Sequence, residues 1–336
     1  MIVMGIRRLI CFGMAVLILP LITGCKEEPL KINYELGIFP DSVMALGGLN
    51  TQYDDYNMDI EASRLNSSLP VVFSSNRQSA GGEFDLTQGM IWYVFGQTTG
   101  SFEMGGEATS DDFIGRLISV FNSSGDEFGP YRFFNGYNGQ EYMSASTQTA
   151  GNGLDIVYTR YIPVFTPPPS IPDPAPVTVF NSPSDDAYLC LSATLDTAYF
   201  CSDRSGNFEI YMMARPSATG TDDWFISPAA PLLAVDSINS AYDDKCPFVR
   251  GRHMVFASER PGGLGGSDLY YSVFRNGKWS SPVNLGPEIN SPANEYRPVL
   301  GIDLKFENRF LIFSSDRPGG QGGYDLYLTG VSLPSE

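Results

Sequence analysis

The sequence predicts an all-β protein, a five-bladed β-propeller whose blades each contain four strands. Three observations lead to this prediction. A glycine-containing loop motif occurs five times in the 336 residues, a polar motif precedes each copy, and a segment near the N-terminus supplies the strand that the last unit lacks. Self-similar units of about 40 to 60 residues with several short strands are typical of propeller blades, which stack to bury both faces.

The loop motif is most complete in FSSDRPGGQGGYDLY, at residues 313–327. Its first residue has counterparts at 256, 200 and 143, so the last three intervals are 57, 56 and 57 residues. Glycine accepts positive φ without a Cβ clash, which predicts a tight turn between two strands. The five loop elements lie near residues 73–87, 143–157, 200–211, 256–270 and 313–327.

The polar motif, which we call the Asn box, reads Asn, then Ser or Thr, two free positions, Asp or Asn, and an acid. Because these side chains bond nearby backbone or preset turn angles, each box predicts a turn leading into the first strand of a blade. The boxes begin at Asn50, Asn122, Asn181, Asn239 and Asn290.

The strands follow from these two landmarks. The first strand follows the box, an apolar second strand ends in Phe-Ser-Ser or a variant, and the third strand returns from the glycine loop. A fourth strand is predicted to begin near residues 278–282, with looser matches at 224–228 and 113–115. The tail of the first unit, residues 87–110, has no place in this scheme.

The segment 38–49 matches the fourth-strand position but lies before the first box. We expect it to complete the last blade and so close the ring, which would remove the exposed edges that invite aggregation. Residues 37–336 are therefore predicted to form one propeller domain.

Strand order places the Asn boxes and the glycine loops on one face, because both turns lie at the same end of a blade. Arginines of the loops should then lie beside acids of the boxes. Two interpretations remain open, a structural lattice or a face that also binds a ligand or protein. The residues of this face are Arg77, Arg204, Arg260, Arg317, Asp186, Asp244 and Glu295, and the second unit has Thr147 in place of an arginine.

The motifs F-S-S-D-R-P-G-G-x-G-G-x-D-L-Y and N-S-x-x-[DN]-E resemble the WD40-like PD40 repeats of TolB-type propellers. Similar repeats occur in lipoproteins and OmpA-like proteins of Bacteroidota cell envelopes. The resemblance is highest over about residues 179–330, and it implies a non-enzymatic protein-protein binding or scaffolding module with an envelope protein as partner. The alternative is a glycan-binding or glycan-cleaving surface lipoprotein.

The N-terminus predicts a lipoprotein signal peptide over residues 1–24. Arg7 and Arg8 form its positive region, an apolar stretch follows, and Leu-Ile-Thr-Gly precedes Cys25. This end resembles the bacterial lipoprotein box, whose cysteine carries acyl chains. We expect a lipid-anchored linker over residues 25–36, attachment to the membrane through Cys25, and a location at the outer membrane.

The residues after Cys25 are Lys26, Glu27 and Glu28. A lysine followed by two acids resembles the surface-export signal of Bacteroidota lipoproteins, which implies exposure on the cell surface. An arbitrary charged linker is the alternative.

Replacing Cys25 with alanine should release the protein from membranes, because the acyl chains on this residue are its expected anchor. Cell fractionation followed by immunoblotting would measure the membrane-bound share. Cys11 lies within the signal peptide, so a Cys11→Ala variant is the matched control and should stay attached. Retention of Cys25→Ala in the membrane fraction would refute the lipid anchor.

The chain is acidic, with 21 basic and 38 acidic residues and a formal net charge of −17. Loss of Arg7 and Arg8 with the signal peptide would leave 19 basic residues and a charge of −19. Such a surface repels phosphates, so we expect no nucleic acid as a partner.

Three cysteines remain when Cys11 and Cys25 are set aside. Cys190 and Cys201 flank a predicted hairpin turn and could form a disulfide across it in an oxidising compartment. The alternative is a pair of packed thiols. The third cysteine, Cys246, has no predicted partner.

Catalysis has little support in the sequence. The only histidine, His253, lies in a predicted hairpin turn where solvent exposure is expected, and no G-x-S-x-G or C-x-x-C motif occurs. The glycines at 319–323 are followed by no lysine, which a phosphate-binding loop needs. We therefore expect no cofactor, no metal site and no catalytic residue. The runner-up is a glycoside hydrolase that uses two carboxyl groups about 5 to 10 Å apart in the central depression.

Overall fold

The structure, a computed structural model, describes residues 32–60, 67–148, 153–162, 170–227 and 230–334. Within these ranges the chain forms 21 β-strands and two α-helices, and the strands make five antiparallel sheets. The inner strands of successive sheets contact one another in a closed ring. The predicted five-bladed β-propeller is thus confirmed. The predicted signal peptide, Cys25 and the export signal at 26–28 lie outside the described residues.

The blades follow one another along the chain, each built from its inner strand outwards. The N-terminal strand is β1 (Met44–Ala45), and blade 1 comprises β2 (Asp55–Ile60), β3 (Ser68–Ser75), β4 (Asp85–Phe95) and β5 (Phe102–Ala108). Helix α1 (Asp112–Ser119) leads to blade 2, which comprises β6 (Glu127–Asn135), β7 (Gln140–Gln148), β8 (Leu154–Tyr161) and β9 (Ala175–Pro176). Blade 3 contains β10 (Asp186–Leu191), β11 (Thr197–Ser202), β12 (Glu209–Ala214), helix α2 (Thr221–Ile226) and β13 (Leu233–Ala234).

The last two blades complete the ring. Blade 4 comprises β14 (Asp244–Arg250), β15 (His253–Ser258), β16 (Asp268–Arg275), β17 (Lys278–Trp279) and β18 (Val283–Asn284), and blade 5 comprises β19 (Glu295–Gly301), β20 (Arg309–Ser315) and β21 (Asp325–Val331). Strand β1 is the outer strand of blade 5, where Met44 pairs with Leu328 and Ala45 with Tyr327. The predicted closure by an N-terminal strand is therefore present, and β1 gives blade 5 its fourth strand.

The outer parts of the blades depart from the predicted pattern. Residues 113–115 lie in α1 and residues 224–226 in α2, where a fourth strand was expected. The Asp111 side chain accepts hydrogen bonds of 2.9 Å from the backbone N–H groups of Phe113 and Ile114. This N-cap favours a helix over the predicted strand. The fourth strand of blade 1 is instead β5, which lies in the tail that the repeat scheme left out.

Both helices fill space between blades. Residues Leu117 and Ile118 of α1 are buried against β3 and β7, and Trp224 and Phe225 of α2 are fully buried beside Phe180. The helices thus cover apolar side chains that a longer outer strand would otherwise cover. Within the part of the chain that the structure describes, neither helix is long and apolar enough to cross a membrane.

Candidate functional site

Each inner strand carries a β-bulge at the same place. The register shifts after the second residue of the strand, and the next residue has positive φ in every blade. A bulge bends its strand and re-aims the side chain at the extra position. These residues are Asn57 (φ 60°), Gly129 (56°), Tyr188 (62°), Cys246 (55°) and Arg297 (49°).

Three of these bulge residues meet across the central channel. Arg297 in blade 5 donates to the carbonyl of Pro130 in blade 2 at 3.0 Å, and its guanidinium lies 5.6 Å from the Tyr188 ring in blade 3. Asn57 Nδ2 lies 3.4 Å from the Tyr188 hydroxyl. Because these blades are not neighbours in the ring, the contacts can only cross the axis. The channel is therefore filled by polar side chains at the level of the bulges.

Asp59 lies two residues further along β2 and is fully buried. Its Oδ2 accepts hydrogen bonds from the Arg132 backbone N–H at 3.1 Å and from Arg132 Nε at 3.3 Å. Burial raises the pKa of Asp59 to about 7, although Arg132 and Arg297 act to lower it. Its Oδ1 has no hydrogen-bond partner among the described residues.

The equivalent positions in the other blades hold no acid. The residues there are Tyr131, Cys190, Phe248 and Val299. Asp59 is therefore the one carboxyl group at this level among the described inner strands.

A cluster of half-buried aromatic rings lies on the Asn-box side of the bulges. We call it the channel mouth, and its rings are Tyr56, Phe84, Phe128, Phe208, Tyr296 and Tyr324. Tyr56 lies 5.0 Å from Phe84, 5.7 Å from Phe128 and 5.5 Å from Tyr324, measured between ring centroids. Tyr296 packs edge-on against Tyr188 at 5.9 Å.

Polar side chains surround the mouth at the position before each inner strand, and four of the five are carboxylates. Asp54 accepts from the backbone N–H of Tyr324 at 2.7 Å, and Asp126 from that of Phe84 at 2.8 Å. Asp243 accepts from Phe208 N–H at 3.0 Å and pairs with Lys245 at 2.6 Å. Asp185 and Asn294 make the same bond to Leu154 and Ser267. Each of these side chains links its blade to the preceding one, and the mouth is acidic.

The arginines predicted on this face each bond to the acid of their own blade. Arg260 Nη2 lies 2.6 Å from Asp244 and 2.6 Å from the Ile238 carbonyl, and its Nε lies 2.8 Å from Ser258 Oγ. Its guanidinium also stacks on Phe256 and Tyr270. The same set recurs in the pairs Arg77–Asp55, Arg204–Asp186 and Arg317–Glu295. The donors of these arginines are thus used inside the blades.

The asparagine that opens each box joins neighbouring blades. Its amide accepts from the backbone N–H and donates to the carbonyl of one residue in the third strand of the preceding blade. In the closing contact Asn50 bonds Leu326 at 2.8 and 3.1 Å. The other pairs are Asn122–Leu86, Asn181–Ile156, Asn239–Ile210 and Asn290–Leu269. The five copies of the box therefore form one interblade ring.

In the second unit, Thr147 does not occupy the position that the repeat motif gave it. Glu127 pairs with Thr147, the position that serines hold in the other blades, for example Ser75 opposite Asp55. Thr147 is thus the counterpart of these serines rather than of the arginines. Glu127 keeps the box acid without an arginine, and burial raises its pKa to about 7.

Of the two alternatives for Cys190 and Cys201, a disulfide or a pair of packed thiols, the structure contains the thiols. Cys190, Cys201 and Cys246 are all buried free thiols. Cys190 pairs with Tyr199, whereas Cys201 pairs with Ala187 on the other side of the bulge, so the two cysteines do not face each other. Burial raises the pKa of Cys190 and of Cys246 to about 11, which keeps both as thiols.

The single histidine is not exposed, contrary to expectation. His253 is fully buried at the start of β15. Its Nε2 lies 2.9 Å from the Pro334 carbonyl, and its Nδ1 lies 2.9 Å from Arg309 Nη1. It ties blade 4 to the C-terminal segment, and it is remote from the channel mouth in the blade.

Comparison with known proteins gives a likeness of fold. Neither a family model nor a curated protein matches the sequence. An endo-arabinase from Bacteroides thetaiotaomicron VPI-5482 shares 14% identity over 88% of this chain and 98% of that chain, with a TM-score of 0.53. A thermostable family-43 glycoside hydrolase shares 13% over 87% and 94%, also at 0.53. An exo-1,5-α-L-arabinanase from a bovine ruminal metagenomic library shares 11% over 87% and 97%, at 0.52.

These structures correct two expectations. The similar propellers are glycoside hydrolases, so the assignment to PD40 repeats of TolB-type propellers is wrong. The expectation of a non-enzymatic binding or scaffolding module, which depended on that assignment, is overturned by the same finding. The motifs led to a wrong assignment because their residues bond to one another within and between blades. They therefore indicate how a blade is built and not what the protein does. The rings of the channel mouth were missed because they lie outside both motifs or at their free positions.

Proposed function

We propose that this protein is a glycan-cleaving enzyme whose substrate lies across the channel mouth. The observation that carries the proposal is the combination of half-buried aromatic rings, acidic side chains from adjacent blades and one buried carboxyl group with a pKa of about 7 on the propeller axis. The solved propellers with which the chain shares its fold include arabinanases, which supports a glycan as the substrate class.

The rings supply a surface that suits a sugar. The C–H faces of a pyranose or furanose pack on aromatic rings, while its hydroxyls need donors and acceptors at the edge. Tyr56 and Phe128 are half-buried rings from adjacent blades, and the Asp54 and Asp126 carboxylates lie beside them. A sugar seated on these rings would meet carboxylates at its rim.

Hydrolysis of a glycosidic bond uses one protonated and one ionised carboxyl group. Asp59 holds a proton up to about pH 7 and is assigned the acid role. Asp54 and Asp126 at the mouth are the candidates for the ionised group. Asp59 is buried beyond the bulges, so its proton would reach the substrate through a water held among the polar side chains that fill the channel at that level. Asn57 Oδ1 and Arg297 Nε and Nη1 also have no hydrogen-bond partner among the described residues, and these atoms would hold such a water.

The expected lipid on Cys25 remains a proposal. An anchored enzyme at the cell surface would meet polymeric glycans that do not cross a membrane. The acidic surface is compatible with neutral polysaccharides and would repel polyanionic ones.

The test is a hydrolysis assay with purified protein on arabinan, xylan and β-1,3-galactan, with reducing ends and oligosaccharide products measured. We expect one of these polymers to be cleaved. Tyr56→Ala should raise KM, because it removes a ring from the platform, whereas Leu304→Ala, which changes an exposed side chain in the β19–β20 turn at the opposite end of the blade, should not. No product from any of the three polymers, with the protein shown to be folded, would overturn the proposal.

A further inference from the structure

Four blades contain what we call an arginine socket. It consists of the box acid, a serine hydroxyl on the second strand and the carbonyl of the residue before the box asparagine. In blade 5, Arg317 bonds Glu295 Oε1 at 2.9 Å, Ser315 Oγ at 3.2 Å and the Ile289 carbonyl at 2.7 Å. The acids of the four sockets are fully buried, and each is covered by its own arginine.

Blade 2 keeps the acceptors of the socket and has no arginine for it. Glu127, Thr147 and Phe121 occupy the positions of acid, serine and carbonyl. In the other blades the arginine stands two residues after the serine, and the residue two after Thr147 is Thr149. The acid is still present and still buried although the cation is missing.

One oxygen of the Glu127 carboxylate accepts a hydrogen bond, and the other accepts none from the described residues. Its Oε1 accepts from Ser123 Oγ at 2.6 Å, as Asp186 Oδ2 accepts from Ser182 Oγ at 2.8 Å in blade 3. The other oxygen of Asp186, Oδ1, takes the arginine. Glu127 Oε2 is the counterpart of that oxygen, and it is buried without a hydrogen-bond partner among the described residues.

The walls of the socket are also changed. In blades 3, 4 and 5 a phenylalanine and a tyrosine sandwich the guanidinium, as Phe313 and Tyr327 do at 5.1 Å each in blade 5. The paired positions in blade 2 are Ala145 and Val157. The guanidinium position in blade 2 therefore lacks the aromatic rings that enclose it in blades 3, 4 and 5.

We propose that the blade 2 socket is a binding site for a guanidinium group supplied from outside this chain, either by a small guanidino compound or by an arginine of another protein. A buried carboxylate without a cation is costly, and a guanidinium would satisfy Oε2 and the carbonyl together as it does in the other blades. Its planar fork suits these acceptors, whereas an ammonium group offers the wrong geometry.

The charge around Glu127 supports cation binding. Besides burial, the neighbouring Asp85 and Asp126 carboxylates help to raise the pKa of Glu127, and Ser123 acts to lower it. A bound guanidinium should favour the ionised form. Binding should therefore be tighter at pH 8 than at pH 6, because below about pH 7 a proton must first leave Glu127.

The experiment titrates the full chain with methylguanidinium, with methylammonium as the paired probe, and follows binding by calorimetry and by the shift in melting temperature. We expect one saturable site for methylguanidinium and at least about tenfold weaker binding of methylammonium. Glu127→Gln should weaken methylguanidinium binding at least about tenfold, because it removes the acceptor charge.

Two further arms make the result decisive. Arg204→Ala opens the equivalent socket against Asp186, so methylguanidinium should raise its melting temperature and show that the probe can enter such a site. Gly-Arg-Gly and Gly-Lys-Gly peptides separate the sources. Binding of the arginine peptide as tightly as methylguanidinium supports a protein arginine, and its failure supports a small guanidino compound. The proposal is wrong if methylguanidinium raises the melting temperature of Arg204→Ala and yet binds the unmodified chain no more tightly than it binds Glu127→Gln.

Discussion

Replacing Arg260 with methionine should destabilise the propeller by about 3–5 kcal/mol, the usual cost of leaving a buried charge without its partner. Asp244 is fully buried, and Arg260 is its charge partner at 2.6 Å. Methionine keeps much of the side-chain length over Phe256 and Tyr270, so the loss is mainly that of the cation and its hydrogen bonds. Urea unfolding of the two proteins at pH 7 measures the difference.

The double variant Arg260→Met with Asp244→Asn is the control, because it removes the stranded charge. It should recover part of the lost stability. A loss below about 1 kcal/mol, or no recovery in the double variant, would show that the pair contributes little, as exposed pairs do.

Replacing Asp59 with asparagine should lower the rate of glycan cleavage by about 10²–10⁴-fold, the range for removal of a general acid. The acid must be protonated, so the activity of the unmodified enzyme should fall as pH rises above about 7, the pKa to which burial raises Asp59. Initial rates on the polymer identified by the hydrolysis assay, measured from pH 5 to pH 9, would show both effects.

Cys190→Ser is the matched control, since Cys190 stands at the position of Asp59 in blade 3 and serine preserves its size. Its activity should stay near that of the unmodified enzyme. Stability gives a second readout. Burial raises the folded-state pKa of Asp59 to about 7, so its stabilising contribution is full below about pH 4 and is lost as pH rises through about 7. An active Asp59→Asn enzyme would remove Asp59 from the chemistry and leave it as an interblade contact.

Much of the fold could be predicted from the sequence because the contacts that define a blade are local. A box acid and its loop arginine are separated by 16 to 22 residues in the four blades that have the pair, so their recurrence is visible as a repeat. The closing strand could be placed because the last unit lacked one. The helices could not be predicted, since α1 depends on a cap at Asp111 and on packing against β3 and β7. Neither feature belongs to the repeated motifs.

The site was harder to predict for a different reason. The rings of the channel mouth come from positions as far apart as Tyr56 and Tyr324, and only the closed ring of blades brings them together. The positive φ at Tyr188 and Arg297 arises from the bulge in the strand, and neither residue type favours that conformation. The raised pKa of Asp59 likewise depends on burial, which a single acid in a strand does not reveal.

The contact between β1 and β21 sets the order of events during synthesis. Met44 and Ala45 leave the ribosome long before Tyr327 and Leu328, their partners in blade 5. Until residue 328 has emerged, β1 has no strand to pair with, and the face of blade 1 that packs on blade 5 stays open to other chains. Ring closure is therefore a late, long-range step that is slowed by chain entropy, and the newly made protein is most exposed to proteases and aggregation in the interval before it.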